Sequence, residues 1–195
     1  MSGIFVVEGP DGTGKTTLAN ELKGAGHVLH ARYRFPQKMH QYHWALLSRA
    51  LKKNKDFMPN YNVVIDRLWI SELIYGAVYR NGEYTADYFD TMDRALRILN
   101  IPTVFCLPKD PEAYFERYAA LCRERDEMYQ MDDKFKQLTY AYINLFNEMK
   151  HRPDVFLYTE DNWEDMKKYV KWLRYSQFQL RTTMRPRRVN YANFI

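Results

Sequence analysis

Eight residues near the start of the chain, Gly9-Pro10-Asp11-Gly12-Thr13-Gly14-Lys15-Thr16, fit the pattern G-x-x-x-x-G-K-[ST] without deviation. That spacing suits the wrapping of a phosphate. The glycines let the backbone turn tightly and aim several N–H groups at one anion. A helix opening near Lys15 adds the positive end of its dipole. Lys15 is expected to reach the β- and γ-phosphates of a nucleotide and Thr16 to place its hydroxyl on Mg²⁺, so ATP and Mg²⁺ are the expected cofactors. The nucleotide-contacting set is Gly9, Asp11, Gly12, Thr13, Gly14, Lys15, Thr16 and Thr17. A second pair, Asp66-Arg67, closes the apolar run Val63-Val64-Ile65. A carboxylate at such a strand end can hold Mg²⁺, usually through water, so Asp66 joins Thr16 as a metal candidate and Arg67 would face the phosphates.

These groups need elements to carry them. The loop follows the apolar run Gly3 to Glu8 and precedes a helix over Lys15 to Lys23, the strand–loop–helix context the motif requires. Further strands are predicted over His27–Tyr33, Asn62–Asp66, Pro102–Leu107 and Asp154–Tyr158. Helices are predicted over Lys38–Lys53, Ile70–Val78, Thr85–Leu99 and Met131–Lys150. Another helix is capped by Asp110 with Pro111 at its first position, and Asp161 with Glu164 forms a capping box for the last one. Arg123 to Gln130 reads as a charged break. Strands alternating with helices argue an α/β fold: a three-layer P-loop NTPase arrangement, with a five-stranded parallel sheet flanked by helices and a short arginine-bearing lid. No repeat or linker divides the 195 residues, so residues 1–195 read as one domain with a lid at about 123–130 and a basic tail at about 176–195.

Composition narrows the classes. With 46% hydrophobic and 27% charged residues the chain reads as globular, and no apolar run approaches the roughly 20 residues that cross a bilayer. Gly3 to Val7 follows the first two residues with no basic leader, which reads as no signal peptide. The two cysteines, Cys106 and Cys122, have neither metal nor disulfide-framework spacing and suit a reducing compartment, so a cytoplasmic location is expected. The net charge of +5 favours anionic partners, nucleotides first and nucleic acid second.

The loop alone does not select a reaction, since switches, ATPases and kinases share it. The stretch Phe5 to Thr17 resembles the opening of thymidylate kinases. Arg34-Phe35-Pro36 is similar to that family's R-F-P segment, and Asp66-Arg67 to its D-R motif. Asp66 to Gly76 resembles phage-encoded members more closely, as does Arg123-Glu124-Arg125-Asp126-Glu127, which is similar to their R-x-R-D-E lid. The resemblance covers roughly residues 3 to 150. It implies that Asp11 approaches the acceptor, that Arg34 and Arg67 grip the acceptor's phosphate, with Phe35 as the stacking residue beside them, and that Arg123 and Arg125 close over the transferring phosphoryl group. Lys15, Asp11, Asp66, Arg67, Arg123 and Arg125 would then be catalytic, and a homodimer is the family's common state.

Three readings follow. The first is a kinase passing the γ-phosphate of ATP to a deoxynucleoside monophosphate such as dTMP. The second is a phage DNA-modifying kinase acting, in the host cytoplasm, on 5-hydroxymethyluracil in DNA. Between Pro36 and Asp66 lie only 29 residues, which leaves the acceptor pocket more open than the family's, and the tail carries Arg181, Arg185, Arg187 and Arg188. The third is a nucleotide switch with no acceptor, against which the D-R pair and the lid arginines weigh. Trp44, Trp69 and Tyr75 are candidates to stack on a base, with core packing expected for two of them. The five histidines lack zinc spacing.

Overall fold

A computed structural model describes residues 3–31, 39–54, 60–80, 86–124 and 133–169. Five short strands form one parallel sheet: β1 (Ile4–Glu8), β2 (His27–His30), β3 (Val63–Asp66), β4 (Thr103–Cys106) and β5 (Val155–Tyr158), in the order β2-β3-β1-β4-β5. The sequence explains the arrangement. Apart from Glu8, Asp66 and Thr103 at their ends, β1, β3 and β4 are apolar, and all three are buried on both faces, as parallel strands sandwiched between helices must be. β2 lies at the edge and exposes its two histidines. It stops at His30, short of the predicted Tyr33; residues 32–38 lie outside those described.

Side chains alternate along the central strands and so feed two cores. Ile4, Val6, Val63 and Ile65 pack with Leu46, Leu47 and Ala50 of α2 (Met39–Lys53), Ile70 and Ile74 of α3 (Trp69–Tyr79), Met92 and Leu96 of α4 (Ala86–Ile98), and Leu138 and Tyr142 of α6 (Asp133–Met149). Phe5, Val7, Val64, Val104 and Cys106 face the other way, onto Leu18, Ala19 and Leu22 of α1 (Lys15–Lys23) and onto Met166 from the helical stretch 163–169. The result is the expected three-layer α/β arrangement.

β1 pairs with β3 on one side and β4 on the other; the chain runs from β1 out to β2 and later crosses from β3 past β1 to β4, so the strand order reverses beside β1. The ends of the central strands then frame a crevice, where ligands of open α/β sheets bind. Val7 lies in register with Asp66, so the phosphate loop and the Asp66-Arg67 pair emerge side by side.

Local expectations met mixed outcomes. Asp110 caps α5 (Pro111–Glu124), its carboxylate accepting the N–H groups of Glu112 at 3.0 Å and Ala113 at 3.2 Å. α5 continues through Arg123 and Glu124, the first two residues of the predicted charged break, and residues 125–130 lie outside those described. Asp161 is not the last helix's cap. It accepts Thr159 Oγ1 at 2.6 Å and Lys109 Nζ at 2.5 Å, while the carbonyl of Asn162 takes the first helical bond, from Met166, at 3.0 Å. Among the described residues no helix is long and apolar enough to cross a membrane.

Candidate active site

β1 ends at Glu8, and the chain enters the loop through Gly9 at φ +147°, a conformation other residues rarely adopt. A side chain there would also collide with the carbonyl oxygen of Cys106 on β4, 2.2 Å from an ideal Cβ. Gly12, at φ +78°, has the ring of Tyr118 lying against it. Gly14, at φ +82°, is the residue before α1. Thr13 Oγ1 donates to Pro10 O at 2.9 Å and closes the loop from inside. Lys15 is 6% exposed, its ammonium 2.5 Å from Pro10 O and 3.8 Å from Asp11 Oδ1. Burial, and then the positive charge of Arg67, bring its pKa down to about 8. A cation this deficient in compensating charge is a strong attractor for an anion.

Arg67 follows β3 at φ +69°, a left-handed conformation that costs a non-glycine residue about 1–2 kcal/mol. Its N–H donates to Val7 O at 2.9 Å. Its guanidinium donates to Asp11 Oδ1 and lies 5.0 Å from the centre of the Tyr75 ring. Tyr75 in turn donates to Asp11 Oδ2 at 3.2 Å, and the Tyr114 hydroxyl to the Asp11 carbonyl. Burial works against a charge on Asp11, but Arg67 and Lys15, with the Tyr75 hydroxyl, hold its carboxyl below the ordinary value. Asp11 thus links the phosphate loop to the end of β3 and to α3 and α5.

Asp66 places Oδ2 2.9 Å from His30 Nδ1, while its buried Oδ1 has no hydrogen-bond partner. That orphaned oxygen belongs to a residue lining the same cleft as Thr16, and the pair fits a Mg²⁺ that takes its other ligands from water and phosphate. Among the described residues no three His, Cys, Asp or Glu side chains gather to hold a metal by themselves. The cleft measures about 720 Å³. Asp11, Lys15, Thr16 and Thr17 form one wall, Asp66 and Arg67 another, and Tyr118, Leu121 and Cys122 of α5 a third. A smaller cleft of about 230 Å³ lies beyond β4 and β5, beside Lys109, Arg117, Glu160 and Asp161, with Tyr114 in its wall.

Several predicted residues fall elsewhere. Trp69 is 6% exposed and packs in the core, 6.1 Å from the Phe89 ring, rather than on the cleft wall. Trp44 is 39% exposed on α2, and Tyr140 is exposed on α6 and donates to Glu112 at 2.9 Å. Arg123 is exposed in the last turn of α5, next to the cleft-lining Cys122. Arg34, Phe35 and Arg125 lie outside the described residues, as does the tail beyond Tyr169. Sequence reasoning missed Glu8, His30 and Tyr114, which have no motif of their own and gain partners only through the fold.

No family model matches this chain. It is 34% identical over 82 residues to the protein named Putative thymidylate kinase of Acidianus bottle-shaped virus (isolate Italy/Pozzuoli), a match covering 40% of this chain and 49% of that protein. The chain therefore spans about half the length of the curated relative it matches. Among solved structures it is similar to the YorR protein of Bacillus subtilis in complex with phosphorylated GDP, at a TM-score of 0.64 and 16% identity, covering 90% of this chain and 98% of that one. It is also similar to polyphosphate kinase 2 of Arthrobacter aurescens TC1, at a TM-score of 0.56 and 12% identity, covering 89% and 66%. The chain shares its α/β fold with these solved structures, and its sequence is similar to that of the viral protein over the matched stretch.

Proposed function

We propose that the chain is an ATP-dependent kinase that transfers the γ-phosphoryl group to a deoxynucleoside monophosphate such as dTMP. The observation that carries this reading is the bond from Arg67 to Asp11. It brings an acceptor-side arginine onto the donor loop, inside a cleft already lined by Lys15 and Asp66. A loop that only held a nucleotide would need no such second cation facing it.

In the transfer, an acceptor phosphate oxygen attacks the γ-phosphorus, the bond to the β–γ bridging oxygen breaks, and ADP leaves. The loop N–H groups from Gly9 to Thr17 cradle the donor phosphates, and Lys15 meets their charge. Thr16 and Asp66 would hold Mg²⁺, which when bound neutralises the phosphate oxygens. Arg67 exchanges Asp11 for the acceptor's phosphate, and Asp11 then faces the acceptor sugar or phosphate. Arg34, with Phe35, would complete the acceptor site, and Arg123 and Arg125 would close over the phosphoryl group. Positioning and charge stabilisation are what phosphoryl transfer asks of a protein. The smaller cleft, which shares Tyr114 with the loop's surroundings, suits the far end of the donor.

The test supplies labelled ATP and Mg²⁺ with free deoxynucleoside monophosphates, deoxynucleosides, plain DNA and DNA containing hydroxymethyluracil. Label on a monophosphate is the expected result. Label on hydroxymethylated DNA alone would replace this reading with the DNA-modifying one. Free phosphate with no labelled acceptor would point to a nucleotide switch.

A further inference from the structure

Glu8 is the last residue of β1, directly before the loop, and its side chain is wholly buried. Both oxygens are engaged. Oε1 accepts the N–H of Leu68 at 2.8 Å, and Oε2 accepts the hydroxyl of Ser71. Ser71 Oγ lies 2.8 Å from the hydroxyl of Tyr142 on α6, so the carboxylate heads a chain of three groups. Burial pushes its carboxyl up to about 7, although the Ser71 and Leu68 hydrogen bonds favour the charged form.

The position of these bonds gives them meaning. Leu68 stands immediately before α3, and its own side chain cannot cap the helix. Glu8 does so from 60 residues away. Arg67 lies between two contacts to successive residues of β1: its own N–H to Val7 O, and the next N–H to Glu8. A non-glycine residue held left-handed persists where the surroundings over-determine it. Here those surroundings are the root of the phosphate loop itself. Tyr75, two turns into α3, is carried by the same anchor.

We propose that Glu8 is a positioning residue for the acceptor: it fixes Arg67 and the start of α3 against the root of the phosphate loop, so that the acceptor's phosphate is presented in register with the donor. The proposal rests on the reading of Arg67 as an acceptor-phosphate ligand. Glu8 itself touches neither substrate. Its loss should therefore divide the two substrates, where a merely structural loss would affect both.

Three variants test it. Glu8→Ala removes both bonds. Glu8→Gln keeps a carbonyl for the Leu68 N–H, and its amide can donate to Ser71, whose hydroxyl then turns to Tyr142. Ser71→Ala removes one anchor and keeps the other. With the full chain, Mg²⁺, ATP and dTMP, Glu8→Ala should raise the KM for dTMP by about tenfold or more, the scale of a lost hydrogen bond to a charged group, and leave the KM for ATP within about threefold. Glu8→Gln should restore most of the loss, and Ser71→Ala, the milder change because the Leu68 bond to Glu8 remains, should raise the dTMP KM alone by a few-fold. Equal rises for both substrates, an unchanged dTMP KM in Ser71→Ala and Glu8→Ala, or a Gln variant as impaired as Ala would overturn the proposal. Amide exchange separates this idea from the kinase reading. If wild type labels no acceptor, the kinase reading fails by itself. The clamp then stands if the Arg67 and Leu68 amides exchange faster in Ser71→Ala and Glu8→Ala than in wild type, and falls if they do not.

Discussion

The two sides of the cleft, which the proposed reading makes the donor side and the acceptor side, are built in opposite ways. The donor side is one stretch, Gly9 to Thr17, in which left-handed glycines, a buried lysine and a helix start follow one another without interruption. The acceptor side is gathered from far apart: Asp11 from the loop, Arg67 56 residues later, Tyr75 from within α3, and Tyr114 103 residues from the carbonyl it binds. A phosphate can be recognised by a backbone shape, and a shape can be written in consecutive residues. An acceptor must be held at a set distance and direction from that phosphate, which takes a third dimension. The donor side should thus lose function through its own side chains, and the acceptor side through the contacts that hold it in place.

The sharpest way to break that contrast is Lys15→Ala. Arg67, the other cation of the described cleft wall, is held by Asp11 and is left for the acceptor, so transfer should fall by on the order of a thousandfold, the upper range for one lost charge-stabilising group. The fold should survive, since Lys15 is a buried cation whose burial disfavours its charge. Initial rates with labelled ATP and a thermal melt read both. A melting temperature that collapses with activity would mean that the donor side also depends on contacts for its architecture.

Next in size is a pH effect on stability at the joint between the sides. The carboxyl of Glu8 is pushed from 4.5 up to about 7 in the folded chain. Below 4.5 both states hold the proton and no cost arises. Between 4.5 and 7 the unfolded chain releases it while the native one keeps it, so stability falls as pH rises. Above about 7 the full cost is in place. Glu8→Gln does not titrate, so its stability relative to wild type should climb between about pH 4.5 and pH 7.5, by up to about 3 kcal/mol. Urea melts across that range read it, and a flat difference would show that Glu8 is ionised at its ordinary pH.

That asymmetry also explains what could be read in the sequence. The loop, its flanking strand and helix and the order of elements were legible, because glycine spacing and apolar runs report local geometry. The cap at Asp110 was legible for the same reason. Trp69 was not: one aromatic on a helix looks the same whether it faces a ligand or Phe89, and only packing decides. Asp161 carried the right spacing for a cap but met Lys109 and Thr159 instead. Glu8 looked like the polar end of a strand, and nothing in its neighbours announces Leu68 or Ser71. His30 had no visible partner until β2 and β3 paired in register with Asp66.

On the acceptor side, Arg67→Lys keeps the charge and loses the fork that spans Asp11 now and a phosphate in the proposed complex. We expect kcat/KM for the acceptor to fall by on the order of a hundredfold, about 2.7 kcal/mol, with ATP affinity little changed. A comparable loss of ATP affinity would mean that Arg67 serves the donor, and the division of the cleft would have to be redrawn. Kinetics with each substrate varied in turn decides this.

The smallest effect belongs to His30, at the border between the two sides. Its Nδ1 lies 2.9 Å from Asp66 Oδ2, while the buried Oδ1 has no hydrogen-bond partner and would face the water shell of the proposed metal. The imidazole is 44% exposed, so water can replace much of what it supplies. A partly exposed hydrogen bond of this kind contributes about 1 kcal/mol, and His30→Ala should weaken Mg²⁺ dependence by only about fivefold. The effect should appear in the metal concentration giving half-maximal rate, and also in direct titration with Mn²⁺ in the presence of ATP, a readout separate from turnover. Donor and acceptor KM at saturating metal should stay near wild type, because neither the loop nor Arg67 rests on His30. If the acceptor KM moved instead, Asp66 would belong with Arg67 to the contact-held side. If only metal dependence moved, Asp66 would belong with Thr16, and the donor side would include one residue that its own sequence neighbourhood could not position.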